Sequence, residues 1–122
     1  MNTRIQTYLY TKWPTIFWSA VIFVLLAMPG NGLLNETWFN AIHLDKLVHA
    51  FLFFILSWLW VMYVQQGKSL SLFLLVFLAT TVTVYGIAME FIQIYTGRDF
   101  SIGDMVADGT GAFLGAFLNR KK

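Results

Sequence analysis

The chain has no cysteine, which excludes a disulfide framework, a thiolate nucleophile and any Cys-ligated zinc or iron–sulfur centre. Charge is also scarce: 11% of the 122 residues are Asp, Glu, Lys or Arg, while 58% are hydrophobic. An ordinary soluble domain carries roughly 25% charged residues, so too few polar groups are present here to cover a globular surface. The composition places the chain in lipid. Its net charge of +2 comes from clustered ends and not from a basic face with interleaved aromatics. No nucleic-acid partner is therefore expected, and the bilayer with its anionic inner leaflet is the natural electrostatic partner. There is no internal repeat and no low-complexity tract, and the apolar segments consume most of the length. One membrane domain over residues 1–122 is the expected organisation.

Four apolar stretches are present, over about 11–28, 46–64, 70–93 and 102–118, against the ~20 residues needed for a spanning helix. The sequence predicts an all-α integral membrane fold, a four-helix transmembrane bundle. Pro29-Gly30 ends the first stretch. That stretch resembles a signal sequence but ends without a small-x-small cleavage pattern, so it reads as a retained helix. Between the first and second stretches, Asn35 offers an N-cap ahead of Glu36, Trp38, Phe39 and Ile42, the pattern of a short interfacial segment. Gln65–Ser69 and Thr96–Phe100 read as turns. Arg4, Lys12, Lys68, Arg120, Lys121 and Lys122 fall on one side of this arrangement and only Lys46 and Arg98 on the other. Because basic loops are retained in the cytoplasm, both termini are expected there. Tyr8, Tyr10 and Trp13 then mark the inner interface and Trp38 and Tyr95 the outer one, with Trp58 and Trp60 packed between helices.

All six acidic residues, Glu36, Asp45, Glu90, Asp99, Asp104 and Asp108, gather toward the outer face. At ~1.5 Å per residue, His49 lies roughly 24 Å from Gln65, Asp108 roughly 18 Å from Arg120 and Glu90 roughly 30 Å from Ser69. Asp45, Lys46, His49, Glu90, Gln93, Arg98, Asp104 and Asp108 thus share one level. Within each helix the spacing puts them on one face: Asp45 with His49, Glu90 with Gln93, and Asp104 with Asp108. An ionisable side chain facing lipid costs at least ~2.5 kcal/mol, so these groups are expected to face one another or a water-filled cleft.

The pattern Asp45-Lys46-x-x-His49-x-x-x-Phe53, then Glu90-x-x-Gln93, Arg98-x-x-Ser101-x-x-Asp104 and Asp108-Gly109-x-Gly111-x-x-x-Gly115 resembles the VanZ-like family in order and spacing, from about Lys46 to Gly115. The resemblance implies a small multi-pass protein of the bacterial inner (cytoplasmic) membrane. The family is named for low-level resistance to the glycopeptide teicoplanin, and its biochemical activity is not settled. At the place of Asp108 the family pattern commonly carries Asn.

Several of these residues have purely structural readings. Asp45 can cap the second helix, Ser101-Ile102-Gly103-Asp104 fits a capping box, and Lys46 can reach the head groups. His49 can be a core histidine bonded to Asp45 or to a carbonyl, and Arg98 with Asp99 an exposed turn pair. His43 reads as interfacial, and Gly111-x-x-x-Gly115 as a close helix contact. Glu90 resists such a reading. It follows a long apolar run, caps nothing and needs a partner such as Arg98, Lys46 or His49.

Three functional classes follow. The first is a site for an anionic lipid-linked or cell-envelope component, formed by Asp45, Lys46, His49, Glu90, Gln93, Arg98, Ser101 and Asp104. The second is an enzyme of lipid or cell-wall precursors, with His49, Glu90, Asp104 and Asp108 as acid/base groups. No cofactor is expected, though a divalent metal held by these residues is possible. The third is an ion or proton pathway, or a passive assembly partner. Oligomeric state is not legible.

Overall fold

The computed structural model describes residues 7–27, 44–66, 68–95 and 102–120, with the side chains of residues 44 and 45 excepted. Among them the chain is helical, without strands. The helices are α1 (Trp13–Ala27), α2 (Leu44–Gln65), α3 (Leu72–Tyr95) and α4 (Ile102–Leu118). The expected interfacial segment up to residue 43, the Pro29-Gly30 break, the 96–100 turn and the basic residues Arg4, Lys121 and Lys122 lie outside the described residues.

Helix α1 is 15 residues long and starts two residues later than the hydropathy indicates. Pro14 is the reason. Proline fits the first turn of a helix, where its missing N–H has no intrahelical partner to lose. Ahead of it the chain closes a separate turn, in which the Thr11 amide (3.0 Å) and hydroxyl (2.6 Å) both donate to the Tyr8 carbonyl. At the far end of α2, Gln66 takes a left-handed φ of 48°. Its amide group donates to the Tyr63 carbonyl at 2.6 Å and to the Tyr10 carbonyl, tying the turn after α2 to the segment before α1.

Helices α2 and α4 run parallel. Lys46 meets Asp104, His49 meets Asp108, and at the other end Gln65 donates to the Asn119 carbonyl at 3.1 Å. Asn119 in turn donates to the Trp58 carbonyl at 2.8 Å. Between these polar ends the two helices are in backbone contact. A Cβ at Gly111 would collide with the Ala50 carbonyl, and one at Gly115 with the Phe54 carbonyl. The four-residue glycine spacing on α4 thus matches Ala50 and Phe54 on α2, a small-residue seam of the kind that lets helices approach closely.

Helix α3 runs antiparallel to both. Its first half packs Leu75 and Ala79 with Val61 and Ala116, and its second half packs Val82 and Met89 with Leu52, Phe53, Leu56 and Ala112. Helix α1 covers α2 and α3 through Ile22 and Leu26. It is pinned by two bonds to backbone: Trp18 Nε1–H donates to the Leu52 carbonyl at 2.9 Å, and the Tyr85 hydroxyl to the Ser19 carbonyl at 2.7 Å.

Two helical stretches, Lys46–Gln65 and Leu72–Tyr95, are long and apolar enough to cross a membrane. Only 33% of each apolar window is buried inside the protein, whereas the core helix of a soluble domain is buried for most of its length. Phe51, Phe73, Phe77, Val84 and Phe91 all point outward.

Candidate functional site

The end of the bundle formed by the start of α2, the end of α3 and the start of α4 holds the described acidic side chains. Helix α2 presents Lys46 and His49 there, α3 presents Glu90 and Gln93, and α4 presents Asp104 and Asp108. Glu90 and Asp108 are 0% exposed, Gln93 2%, His49 3% and Asp104 7%.

His49 is the hinge of the cluster. Its Nδ1 lies 2.8 Å from Asp108 Oδ1, a buried hydrogen bond in which the ring N–H donates to the carboxylate. On the other side of the ring, Nε2 lies 3.7 Å from Asp104 Oδ2, within ion-pair range and beyond a hydrogen bond. Asp104 also faces outward to Lys46, whose Nζ is 3.6 Å from Oδ1. The side chain of Lys46 is 40% exposed, so the contacts run from the rim inward through Asp104 and His49 to Asp108.

Glu90 closes the inner side. One ligating atom each from His49, Glu90 and Asp108 lies within 4.8 Å of the others. These groups come from three helices, so only the folded bundle assembles them. The second carboxylate oxygen of Asp108 is fully buried and has no hydrogen-bond partner among the described residues. It lies over Gly86 of α3, where an added Cβ would sit 2.6 Å from that oxygen and 2.8 Å from Asp108 Cβ. Gly86 provides the room that lets a carboxylate stand between α3 and α4.

Of the residues expected to form the site, Lys46, His49, Glu90, Gln93, Asp104 and Asp108 are gathered at one end. Arg98, Ser101 and the side chain of Asp45 lie outside the described residues, and with them the capping roles proposed for Asp45 and Ser101. His49 finds its partners across the helix pair, in Asp108 and Asp104. The residue not anticipated is Gly86. Its signal in the sequence is a lone glycine inside the apolar run from Leu72 to Met89, flanked by Tyr85 and Ile87. A glycine in a helix interior costs about 1 kcal/mol relative to alanine and so calls for a packing reason.

This arrangement can hold a proton or a cation between carboxylates, and it can orient one face of an imidazole by bonding the other. No family model, no curated protein and no solved structure matches this chain.

Proposed function

We propose that the chain is a VanZ-like protein of the bacterial cytoplasmic membrane, a four-helix bundle with both termini inside and its polar end facing outward. There it binds an anionic lipid-linked or cell-envelope component and contributes to resistance of the teicoplanin type. The observation that carries this reading is the cluster itself. Six polar side chains from three helices share one end of a molecule whose middle is apolar, five of them buried, with Lys46 at the rim. Polar and ionisable groups among apolar helices are costly and mark function by default. Lys46, held by Asp104, supplies a cation at the entrance, and Arg98 is a second basic residue just ahead of α4 in the sequence.

The test is genetic and biochemical. Glu90→Gln, His49→Ala and Asp104→Asn should each abolish the resistance or envelope phenotype while membrane abundance, read by quantitative blotting, stays at the parental level. Parallel loss of protein and phenotype would assign the cluster to folding instead. Lipid extracted from the purified chain should contain a phosphate-bearing species that Arg98→Ala removes.

A second reading is favoured by the 2.8 Å bond between His49 and Asp108. An imidazole oriented on one nitrogen by a buried carboxylate is equipped to act as a general base at the other. On that reading the protein is a membrane-embedded enzyme acting on a lipid or cell-wall precursor. Turnover of such a precursor by the purified chain, absent in His49→Ala, would distinguish it from a binding protein.

A further inference from the structure

We infer that His49, Glu90 and Asp108 form a binding site for one divalent cation of the first transition row, zinc, manganese or cobalt in class. The inference stands on the geometry of the three helices and is independent of which envelope component the protein meets.

Spacing comes first. Three points no more than 4.8 Å apart fit inside a circle of radius about 2.8 Å, within about 0.8 Å of the ~2.0–2.2 Å at which zinc holds nitrogen and oxygen. His49 Nδ1 and Asp108 Oδ1, already 2.8 Å apart, are spaced as adjacent ligands of one ion, with Glu90 supplying the third position from α3.

Charge comes second. A neutral imidazole with two carboxylates carries −2, which one divalent ion cancels. Burying charges of one sign together is costly, so a divalent ion that cancels them is favoured there. Lys46 stands at the rim, 3.6 Å from Asp104.

The third observation is separate from the cluster's composition. Asp108 has a fully buried carboxylate oxygen with no hydrogen-bond partner among the described residues, and a glycine on the facing helix makes room for it. Buried oxygens of this kind are rare in native proteins and ask for an ion or a water.

The surroundings complete the chemistry. A metal-ligating histidine generally turns its other N–H to a carboxylate, which fixes the ring and its tautomer. Asp104 stands at that position, 3.7 Å from Nε2, and shortens to a hydrogen bond when Nδ1 takes the metal. The donor set of one nitrogen with carboxylate oxygens, and no cysteine in the chain, disfavours soft ions. The imidazole argues against calcium and magnesium, which take oxygen ligands.

The experiment uses the full chain purified in detergent, stripped with chelator and titrated with Co2+. One equivalent per chain should bind with a saturating visible d–d absorption, and excess Zn2+ should displace it. Glu90→Gln and Asp108→Asn, which keep side-chain shape, should weaken binding by at least ~100-fold, and Asp104→Asn by ~10–100-fold. His43→Ala should leave the titration unchanged. Because the chain holds only two histidines, X-ray absorption of the wild-type cobalt complex gives a readout that needs no cluster variant. One imidazole in the coordination shell, retained in His43→Ala, is the expected result. Absence of stoichiometric cobalt binding, a shell without imidazole, or binding that survives both carboxylate variants would each overturn the site.

Discussion

Asp108 sits where three helices converge, and its two oxygens have opposite surroundings. One accepts from His49 at 2.8 Å while the other lies against Gly86 with no hydrogen-bond partner among the described residues. This sets up a paired expectation at single-residue scale. Asp108→Ala removes the acceptor for His49 Nδ1–H and should destabilise the protein by about 1–3 kcal/mol, the cost of stranding a buried donor. Gly86→Ala leaves every polar group in place but drives a methyl into Asp108, and should cost a comparable 1–3 kcal/mol by overpacking. Thermal unfolding in detergent, followed by circular dichroism, reads both; a Gly86→Ala protein as stable as the parent would mean that Asp108 does not stand over that glycine. The sequence placed Asp104 and Asp108 on one face through their spacing, and both do turn to His49. The partner itself was not legible. Spacing within a helix tells which side chains share a face, but not which neighbouring helix that face meets.

Among the elements, α2 and α4 are joined most closely, and the reason is the absence of side chains along their seam. Gly111 and Gly115 let α4 lie on the carbonyls of Ala50 and Phe54, one residue along from His49 and Phe53. The same approach sets the separation between His49 and Asp108, so packing and site geometry are one constraint. Gly111→Ala and Gly115→Ala should therefore each cost about 1–3 kcal/mol by forcing the helices apart. Gly109→Ala should be tolerated, because its added methyl would meet Thr83 Cγ2 at an ordinary 3.4 Å. Unfolding by increasing SDS in mixed micelles would show this order; equal stability of all three variants would remove the seam as the element that holds the pair together. This contact was legible in advance, because a glycine pair four residues apart inside an apolar segment has few other uses. Element positions were also legible, with α4 found at 102–118 and α2 and α3 within two residues of the expected ends. Helix α1 agrees as closely, at 13–27 against 11–28, and its two-residue later start follows from Pro14 in the first turn, which a hydropathy pattern does not register.

Across the whole molecule, charge is sorted by end. Tyr10, Lys12, Gln66, Lys68, Asn119 and Arg120 belong to the end where α2 and α4 finish, and Lys12 lies over the Trp13 ring at 5.2 Å, apolar stem and aromatic together as at a membrane interface. The carboxylates occupy the opposite end, beneath Tyr95, which is 90% exposed. Neither end is stabilised by this sorting within the bundle, because the two groups are separated by the full apolar length of α2 and α3. On the proposed topology the asymmetry has a cause, since a membrane between the ends would keep the basic side in the cytoplasm, where retention of Lys and Arg is set during insertion. The chain's lack of cysteine makes the idea directly measurable. Single substitutions Lys68→Cys, Arg120→Cys and Tyr95→Cys lie at exposed positions. In intact cells an impermeant maleimide should label Tyr95→Cys alone, and Lys68→Cys and Arg120→Cys only after permeabilisation. Labelling of Lys68→Cys in intact cells would invert the protein, turning the carboxylate cluster to the cytoplasm and separating it from any component of the outer leaflet. Equal labelling of all three would remove the bilayer from between the two ends, and with it the reason for burying Glu90 and Asp108 among helices whose remaining surface is apolar.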